Sequence, residues 1–197
     1  MFFDLGYDNL SEDDDYIERA VKEIDGIFDL VLITEFFDES LILMKEMLGW
    51  SWEDVLYIKV NSRQKQEDSD DIQQHHDYLQ MQTRRWTKAD AFLYDYFNAT
   101  LQRKITAYGV DRMNRDLLEL ASRNEKLQDT CILSEVKNTD VKDPRNKVDN
   151  PHDIDMTGYI LKASAVDNSL CQSLIRSEIP WFRYFAEKQA RHEEGER

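Results

Sequence analysis

Apolar side chains recur at helical spacing near the N-terminus. Within residues 11–28, one apolar residue follows another every three or four positions, which predicts an amphipathic helix. These residues are Ile17, Val21, Ile24 and Phe28. Ser11 stands before a run of acidic residues, so it is a candidate N-cap for a first turn whose carboxylates suit the positive end of the helix dipole.

Two short runs carry aliphatic residues without helical period. Residues 29–34 read DLVLIT and residues 54–63 read DVLYIKVNSR. Such runs are typical of strands that are buried on both faces. A helical stripe that begins at Phe37 separates them. Strand, helix and strand at this spacing predict an α/β fold with two parallel strands and a mainly helical remainder.

The rest of the chain is mostly helical in pattern. A signal over residues 87–129 is interrupted at Gly109, so it predicts either two helices or one helix with a bend. A polar, proline-containing stretch at about 134–157 predicts a flexible excursion, and a further helix is expected over 167–188. We therefore predict one domain over residues 1–188, which is an ordinary domain length, and a solvated tail over 189–197.

The charge balance is acidic. The 197 residues include 40 Asp and Glu against 25 Lys and Arg, for a formal net charge of -15. Such a field repels phosphate backbones, so we expect no nucleic-acid partner. No stretch approaches the roughly 20 apolar residues of a membrane helix and no signal peptide is recognisable, so the chain as written is expected to be soluble.

Common cofactor and metal motifs are not found. The six glycines are too dispersed for a phosphate-binding loop. His75 and His76 are adjacent in a polar segment, where an exposed pair is expected because a zinc site normally takes three or four protein ligands. We predict no metal site.

Polar residues follow both predicted strands. Glu35 ends the first strand, and ligands of open α/β sheets bind beyond the carboxyl ends of the strands. The alternative is that Glu35 or Thr34 only caps the following helix. Lys59, Asn61 and Arg63 stand at the corresponding end of the second strand, as candidates for contacts with an anionic ligand or as ordinary exposed residues.

Four further residues carry covalent chemistry. Asn9 and Asn98 begin N-glycosylation sequons, which matter only in a luminal protein. Cys131 and Cys171 are the only cysteines; they could form one disulfide in an oxidising compartment or be two buried thiols, and composition alone favours buried thiols.

Several blocks of the chain resemble the galactose-3-O-sulfotransferase family in order. These blocks are FDLVLITEFFDESLILMKEMLGWSWEDVLYIKVNSR, YDYFNATLQRKITAYG, GYILKAS and CQSLIRSEIPW. The resemblance implies the C-terminal part of a nucleotide-kinase-like, P-loop-type sulfotransferase domain on the luminal side of the Golgi membrane. It also implies transfer of a sulfuryl group from 3′-phosphoadenosine-5′-phosphosulfate (PAPS) to the 3-hydroxyl of galactose on a glycolipid or glycan.

The resemblance further implies that key parts lie upstream of Met1. The phosphosulfate loop, the histidine that the family resemblance implies as the base, and the membrane anchor match nothing in this chain, so the catalytic residues are unknown and the chain is expected to be catalytically incomplete. Glu35 is then expected to position ligands where nucleotide and acceptor meet. Lys59, Asn61 and Arg63 are the next candidates for cofactor or acceptor contacts.

The same resemblance bears on the covalent sites. A luminal protein makes Asn98 a credible glycan site, and an oxidising compartment favours a disulfide between Cys131 and Cys171. The cysteine that the family places before Trp50 is replaced by Gly49.

A noncatalytic alternative remains. The chain would then be an acidic, helical binding or regulatory protein derived from the same fold, and PAP binding would distinguish the two hypotheses. In the catalytic hypothesis an unpaired sheet edge is expected to make the isolated chain aggregate.

Overall fold

The computed structural model describes residues 1–60, 70–149 and 156–195. Seven α-helices and two strands lie in these ranges, and most described residues are helical. In chain order the elements are α1 (Asp14–Asp25), α2 (Phe37–Leu48), α3 (Asp70–Trp86), α4 (Lys88–Tyr108), α5 (Val110–Cys131), β1 (Ile132–Lys137), β2 (Thr157–Leu161), α6 (Ser169–Ile175) and α7 (Glu178–Gly195).

The chain divides into two compact units. The first contains residues 1–55 and 67–120, and the second contains residues 56–66 and 121–197. The assignment of residues 1–188 to one domain stays a prediction.

Helix α1 confirms the helix predicted from the first apolar stripe, but its cap differs. The side chain of Asp13 accepts hydrogen bonds from the backbone N–H groups of Asp15 and Tyr16, at 3.0 and 3.3 Å. Ser11 lies two residues upstream, where its hydroxyl accepts from the N–H of Asp13. The predicted cap was wrong because a serine and three consecutive aspartates all qualify, and residue type alone does not choose among them.

Helix α4 is the centre of the first core. It packs against α1, α2 and α3. The buried side chains are apolar, and each stabilises the fold by about 1.5–3 kcal/mol when fully removed from water. The largest are Phe2, Ile17, Val21, Ile24, Leu93, Phe97 and Leu101.

The predicted pair of parallel strands requires correction. Residues 30–33 and 56–60 run as connections without strand hydrogen bonding, and residues 61–63 lie outside the described ranges. Ile33 and Ile58 are nevertheless buried, as the aliphatic runs suggested. The prediction failed because an aliphatic run reports burial and does not fix a hydrogen-bonded neighbour. The nucleotide-kinase-like fold stays a prediction.

The helix that follows Glu35 forms where it was predicted. Helix α2 starts after a short 3₁₀ turn at Thr34–Phe36, and no side chain caps its N-terminus. The interpretation of Glu35 or Thr34 as the cap is therefore not supported. The hydroxyl of Ser40, buried one turn into α2, instead accepts from the N–H of Ile33 at 3.3 Å.

Gly109 separates α4 from α5 and so decides between two helices and a bend. Its φ of 100° lies in a region that side chains other than glycine rarely adopt. Its N–H donates to the carbonyl groups of Ile105 and Thr106 and closes α4. Helix α5 begins at the next residue.

The second unit contains the sheet. Strands β1 and β2 are antiparallel, with Ile132 opposite Leu161 and Lys137 opposite Thr157. The stretch at about 134–157, predicted to be a flexible excursion, therefore begins within strand β1. Its polar residues were misleading because one face of an antiparallel pair can be exposed and carry polar residues. The helix expected over 167–188 forms as α6 and α7, and α7 extends through the described part of the predicted tail.

Candidate functional site

Glu35 lies exposed in the turn at Thr34–Phe36, directly after the extended segment 30–33. Its carboxylate interacts with the phenol of Tyr94 on α4. Partial burial and the neighbouring Glu35 carboxylate, which accepts a hydrogen bond from the phenol, raise the pKa of Tyr94 above its ordinary value. The Glu35 carboxylate and the Tyr94 phenol are therefore neighbours in the first unit.

Glu35 and Tyr94 lie on the wall of a groove of about 620 Å³. Four parts of the first unit form it: residues near the N-terminus such as Leu5, the end of α1 and the loop after it with Phe28, the segment 30–35, and α4 through Leu93 and Phe97. The walls are mostly apolar. Among the described lining residues, the charged side chains are those of Asp4 and Glu35, and none is a lysine or arginine.

This lining suits a neutral ligand with hydroxyl groups. Carboxylates accept hydrogen bonds from hydroxyls, and the rings of Phe28, Tyr94 and Phe97 offer apolar surfaces for a ring-shaped ligand. The phosphate and sulfate groups of PAPS require cationic or N–H donors. Because its described side chains supply no cation, the groove does not fit those groups.

A smaller, polar cavity of about 330 Å³ adjoins the same segments. The ammonium of Lys104 lines it and donates to the carbonyl oxygen of Asp29 at 3.0 Å. Asp25 lines it too, and its carboxylate accepts a hydrogen bond from the Tyr96 hydroxyl at 2.9 Å, which with partial burial raises the pKa of Tyr96. These contacts hold α4 against the loop that follows α1.

The other candidates for ligand contacts belong to the second unit or lie outside the described residues. Lys59 is exposed and belongs to the second unit, where its carbonyl oxygen accepts from the hydroxyl of Tyr159 at 2.7 Å. Asn61 and Arg63 lie outside the described residues. Their proposed ligand contacts stay predictions.

The covalent candidates have defined surroundings. Cys131 and Cys171 are buried, with their sulfur atoms 2.01 Å apart and their Cα atoms 5.4 Å apart, so a disulfide joins the end of α5 to α6. Asn9 is half-buried before α1. Asn98 is half-buried on α4, and its Oδ1 atom is buried and has no hydrogen-bond partner among the residues that the structure describes. Glycosylation of both asparagines stays a prediction.

His75 and His76 are exposed on α3. Among the described residues, no group of His, Cys, Asp or Glu is arranged to hold a metal ion. No helix in the described ranges is long and apolar enough to cross a membrane.

The sequence did not single out Tyr94, Phe97 and Phe28 as groove residues. Tyr94 and Phe97 belong to the helical stripe of α4, and Phe28 ends that of α1. Apolar residues at helical spacing occur both in a buried core and in the wall of a groove. A groove wall differs from a buried core only in how several segments of the chain converge around the stripe, and no pattern in the sequence indicates that convergence.

Comparison with known proteins identifies the family. A model of the galactose-3-O-sulfotransferase family matches residues 1–189. The chain belongs to this family. The resemblance seen in the separated sequence blocks is thereby confirmed, and the chain is a member of a carbohydrate sulfotransferase family.

Individual members of the galactose-3-O-sulfotransferase family match at moderate identity. Galactosylceramide sulfotransferase of Homo sapiens is 39% identical over 133 residues, which is 67% of this chain and 30% of that protein. Galactose-3-O-sulfotransferase 3 of Bos taurus is 32% identical over an alignment of 200 positions that covers 97% of this chain and 46% of the relative. Galactose-3-O-sulfotransferase 2 of Homo sapiens is 30% identical over 188 residues. The chain thus spans less than half the length of these relatives, and no solved structure matches it.

Proposed function

We propose that this chain is part of a carbohydrate sulfotransferase that moves a sulfuryl group from PAPS to the 3-hydroxyl of a galactose on a glycolipid or glycan. The observation that carries the proposal is the family match over residues 1–189. In this reaction the hydroxyl oxygen bonds to sulfur, the bond from sulfur to the phosphate oxygen breaks, and PAP leaves. The hydroxyl proton passes to a base that we do not assign to a described residue.

The groove beside Glu35 is our candidate for the acceptor side of the reaction. A galactose ring has hydroxyl groups that can donate hydrogen bonds to the Glu35 carboxylate. It also has an apolar face that can pack on aromatic rings. We assign Glu35 a positioning role. Holding the acceptor in one orientation contributes to rate through proximity.

We assign the contacts to PAPS outside this groove. Lys59, Asn61 and Arg63 remain candidates, and the phosphosulfate loop, the base and the membrane anchor are assigned to sequence upstream of Met1, as the family resemblance implies. A location on the luminal side of the Golgi membrane and glycans on Asn9 and Asn98 belong to the same proposal, and the Cys131–Cys171 disulfide is consistent with an oxidising compartment.

A second candidate is a noncatalytic binding module of the same family. The net charge of -15 and the absence of a lysine or arginine side chain among the described lining residues of the groove favour it. Such a module would bind a galactose-bearing ligand in the groove without transferring sulfate.

A transfer assay with labelled PAPS separates the two candidates. The enzyme that contains this chain is incubated with galactosylceramide or lactose and with PAPS labelled in its sulfate, and an acceptor that carries labelled sulfate on the 3-hydroxyl of its galactose is the expected product. A Glu35→Gln variant should raise the KM for the acceptor several-fold with a smaller effect on kcat, whereas Glu187→Gln, which makes the same charge change on α7, should change neither.

Calorimetry with PAP completes the test. A folded chain that does not bind PAP contradicts the proposal that Lys59, Asn61 and Arg63 supply contacts to PAPS. Binding of lactose by that chain, weakened by Glu35→Gln, would then support the noncatalytic module.

A further inference from the structure

The acidic charge of the chain is confined to one of its two units. Residues 1–55 and 67–120 contain 26 acidic and 10 basic side chains, for a net charge of -16. The remaining residues contain 14 acidic and 15 basic side chains, for a net charge of +1. The second unit is therefore the better place for an anionic ligand, since the field of the first repels anions.

A groove of about 380 Å³ lies within this second unit. The loop at residues 138–149, which follows β1, forms one wall, and the first turns of α7 form another through Ile179 and Arg183. Three charged side chains line the groove: Lys147, Arg183 and Asp149. The described lining thus has an excess of one positive charge.

Buried polar groups fix the backbone around Lys147. Asn138, which is 4% exposed, donates from Nδ2 to the carbonyl of Val148 and accepts at Oδ1 from the N–H of Val148, both at 2.8 Å. The hydroxyl of Ser177, also buried, donates to the carbonyl of Lys147 at 2.8 Å. The N–H of Ser177 donates to the carbonyl of Arg145 at 3.1 Å.

These bonds make the loop a rigid support for exposed side chains. Burying an amide and a hydroxyl is unfavourable unless they are hydrogen-bonded, and here both are used to hold one surface loop. A side chain that starts from a fixed backbone loses less freedom when it binds a ligand. The backbone that carries the Lys147 side chain is therefore preorganised.

The cations that line the groove differ from a neighbouring arginine in whether they already have an acidic partner. Arg145, on the same loop, is bound to the carboxylate of Asp143 through Nη2 at 2.7 Å and through Nε at 3.1 and 3.2 Å. Lys147 and Arg183 are exposed, and neither has an ion pair in the part of the chain that the structure describes. An oxyanion between them would supply that partner.

We propose that this groove binds a sulfate or phosphate monoester through Lys147 and Arg183. Arginine and lysine pair strongly with such oxyanions, and the hydroxyl of Thr139, which also lines the groove, is a further donor. Ile179 and Pro180 offer an apolar surface to the sugar that carries the ester. Two molecules could carry this ester, galactose 3-sulfate and PAP, and naming these two rests on the proposed function.

Calorimetric titration of the full chain tests the site with three probes: galactose 3-sulfate, PAP and neutral galactose. The variant Lys147→Gln/Arg183→Gln removes both cations. The control Lys142→Gln/Lys188→Gln removes two exposed cations that do not line the groove, so both variants have the same net charge.

The expected result is binding of a charged probe and a loss of affinity of about tenfold or more in the first variant, since each charge-assisted contact contributes strongly. The control should stay within about twofold of the wild-type chain. Binding of galactose 3-sulfate alone supports the site with the sulfated sugar as its source, and binding of PAP alone supports it with the nucleotide as its source.

Three outcomes overturn the inference: neither charged probe binds, galactose binds as well as its sulfate, or the control loses as much affinity as the groove variant. The last would mean that overall charge and not the groove attracts the anion. Sulfate transfer is measured separately, so transfer without oxyanion binding here contradicts only the inference, and oxyanion binding without transfer contradicts only the catalytic proposal.

Discussion

The phenolic oxygen of Tyr108 lies 2.6 Å from Oδ2 of Asp116, across the break that Gly109 makes between α4 and α5. The guanidinium of Arg112 lies over the Tyr108 ring, 4.1 Å from its centroid, and donates to Glu46 of α2 at 2.9 Å. One cluster thus joins three helices of the first unit. It fixes the direction in which α5 leaves the break.

Replacement of Tyr108 by Phe should lower the free energy of unfolding at pH 7 by about 1–2 kcal/mol, because a partly buried hydrogen bond to a carboxylate is lost. Burial and the hydrogen bond to Asp116 raise the pKa of Tyr108 from 10.0 to about 12. Its contribution is therefore fully present below pH 10 and lost as the pH rises from about 10 to about 12.

Urea unfolding of both proteins from pH 8 to 12 checks this dependence. The stability difference between wild type and Tyr108→Phe should shrink over that interval. Tyr78→Phe on α3, an exposed tyrosine, is the matched control. A difference that stays constant up to pH 12 would contradict the assignment.

Gly109→Ala should destabilise the first unit by about 1–3 kcal/mol, because the φ of 100° at this position is strained for any residue with a side chain. Gly26→Ala is the matched control, since Gly26 has a φ of -72° and an added Cβ would meet nothing closer than 3.4 Å. Thermal unfolding should show a lower Tm for the first variant only. Equal effects at both positions would argue that loss of glycine, and not strain, is responsible.

The helices could be predicted because their signals are local. The apolar stripes of α1, α2 and α4 follow the helical period, and Gly109 marks the break between α4 and α5 from the sequence alone. The predicted strands failed at residues 30–33 and 56–60, because burial of Ile33 and Ile58 leaves the hydrogen-bonding neighbour undetermined. Strand β1 was missed because its polar residues lie on an exposed face.

The site could be predicted only in part. Glu35 was noticed from its position after an aliphatic run, and it does line a groove. Tyr94 was not noticed, because a residue on the apolar stripe of a helix is equally expected to belong to the core. The Asn138 and Ser177 bonds join residues 10 to 32 positions apart, and no local pattern predicts such pairs.

Glu35→Gln should lower the pKa of Tyr94 towards its ordinary value of about 10. The carboxylate raises this pKa by its charge and by accepting a hydrogen bond, so a neutral amide removes part of the effect and leaves the part due to burial. Titration of the Tyr94 ring carbon by NMR measures the shift. Glu39→Gln on α2 is the control and should leave it unchanged; an unchanged value in both variants would mean that Glu35 is not held beside Tyr94.

Gly158→Ala should destabilise the second unit by about 1–3 kcal/mol through overpacking. An added Cβ would lie 2.3 Å from Cγ2 of Val141 and 3.2 Å from Cα of Asn138. Val141→Ala removes the first contact, so the double variant should lose less stability than the sum of the two single variants. Strict additivity in urea unfolding would show that the loop at 138–149 moves aside freely, which its buried hydrogen bonds argue against.

Loss of the disulfide between Cys131 and Cys171 should destabilise the second unit selectively. The cysteines are 40 positions apart, and closing a loop of that length contributes about 4 kcal/mol in the chain-entropy account. Hydrogen exchange by mass spectrometry, with and without reductant, should show faster exchange in β1 and β2, while α1 and α4 keep their protection because their core lies in the first unit. Cys131→Ser/Cys171→Ser is the control, since reductant should not change its exchange further. Equal loss of protection in α1 and β1 would contradict selective unfolding and would mean that the two units unfold together.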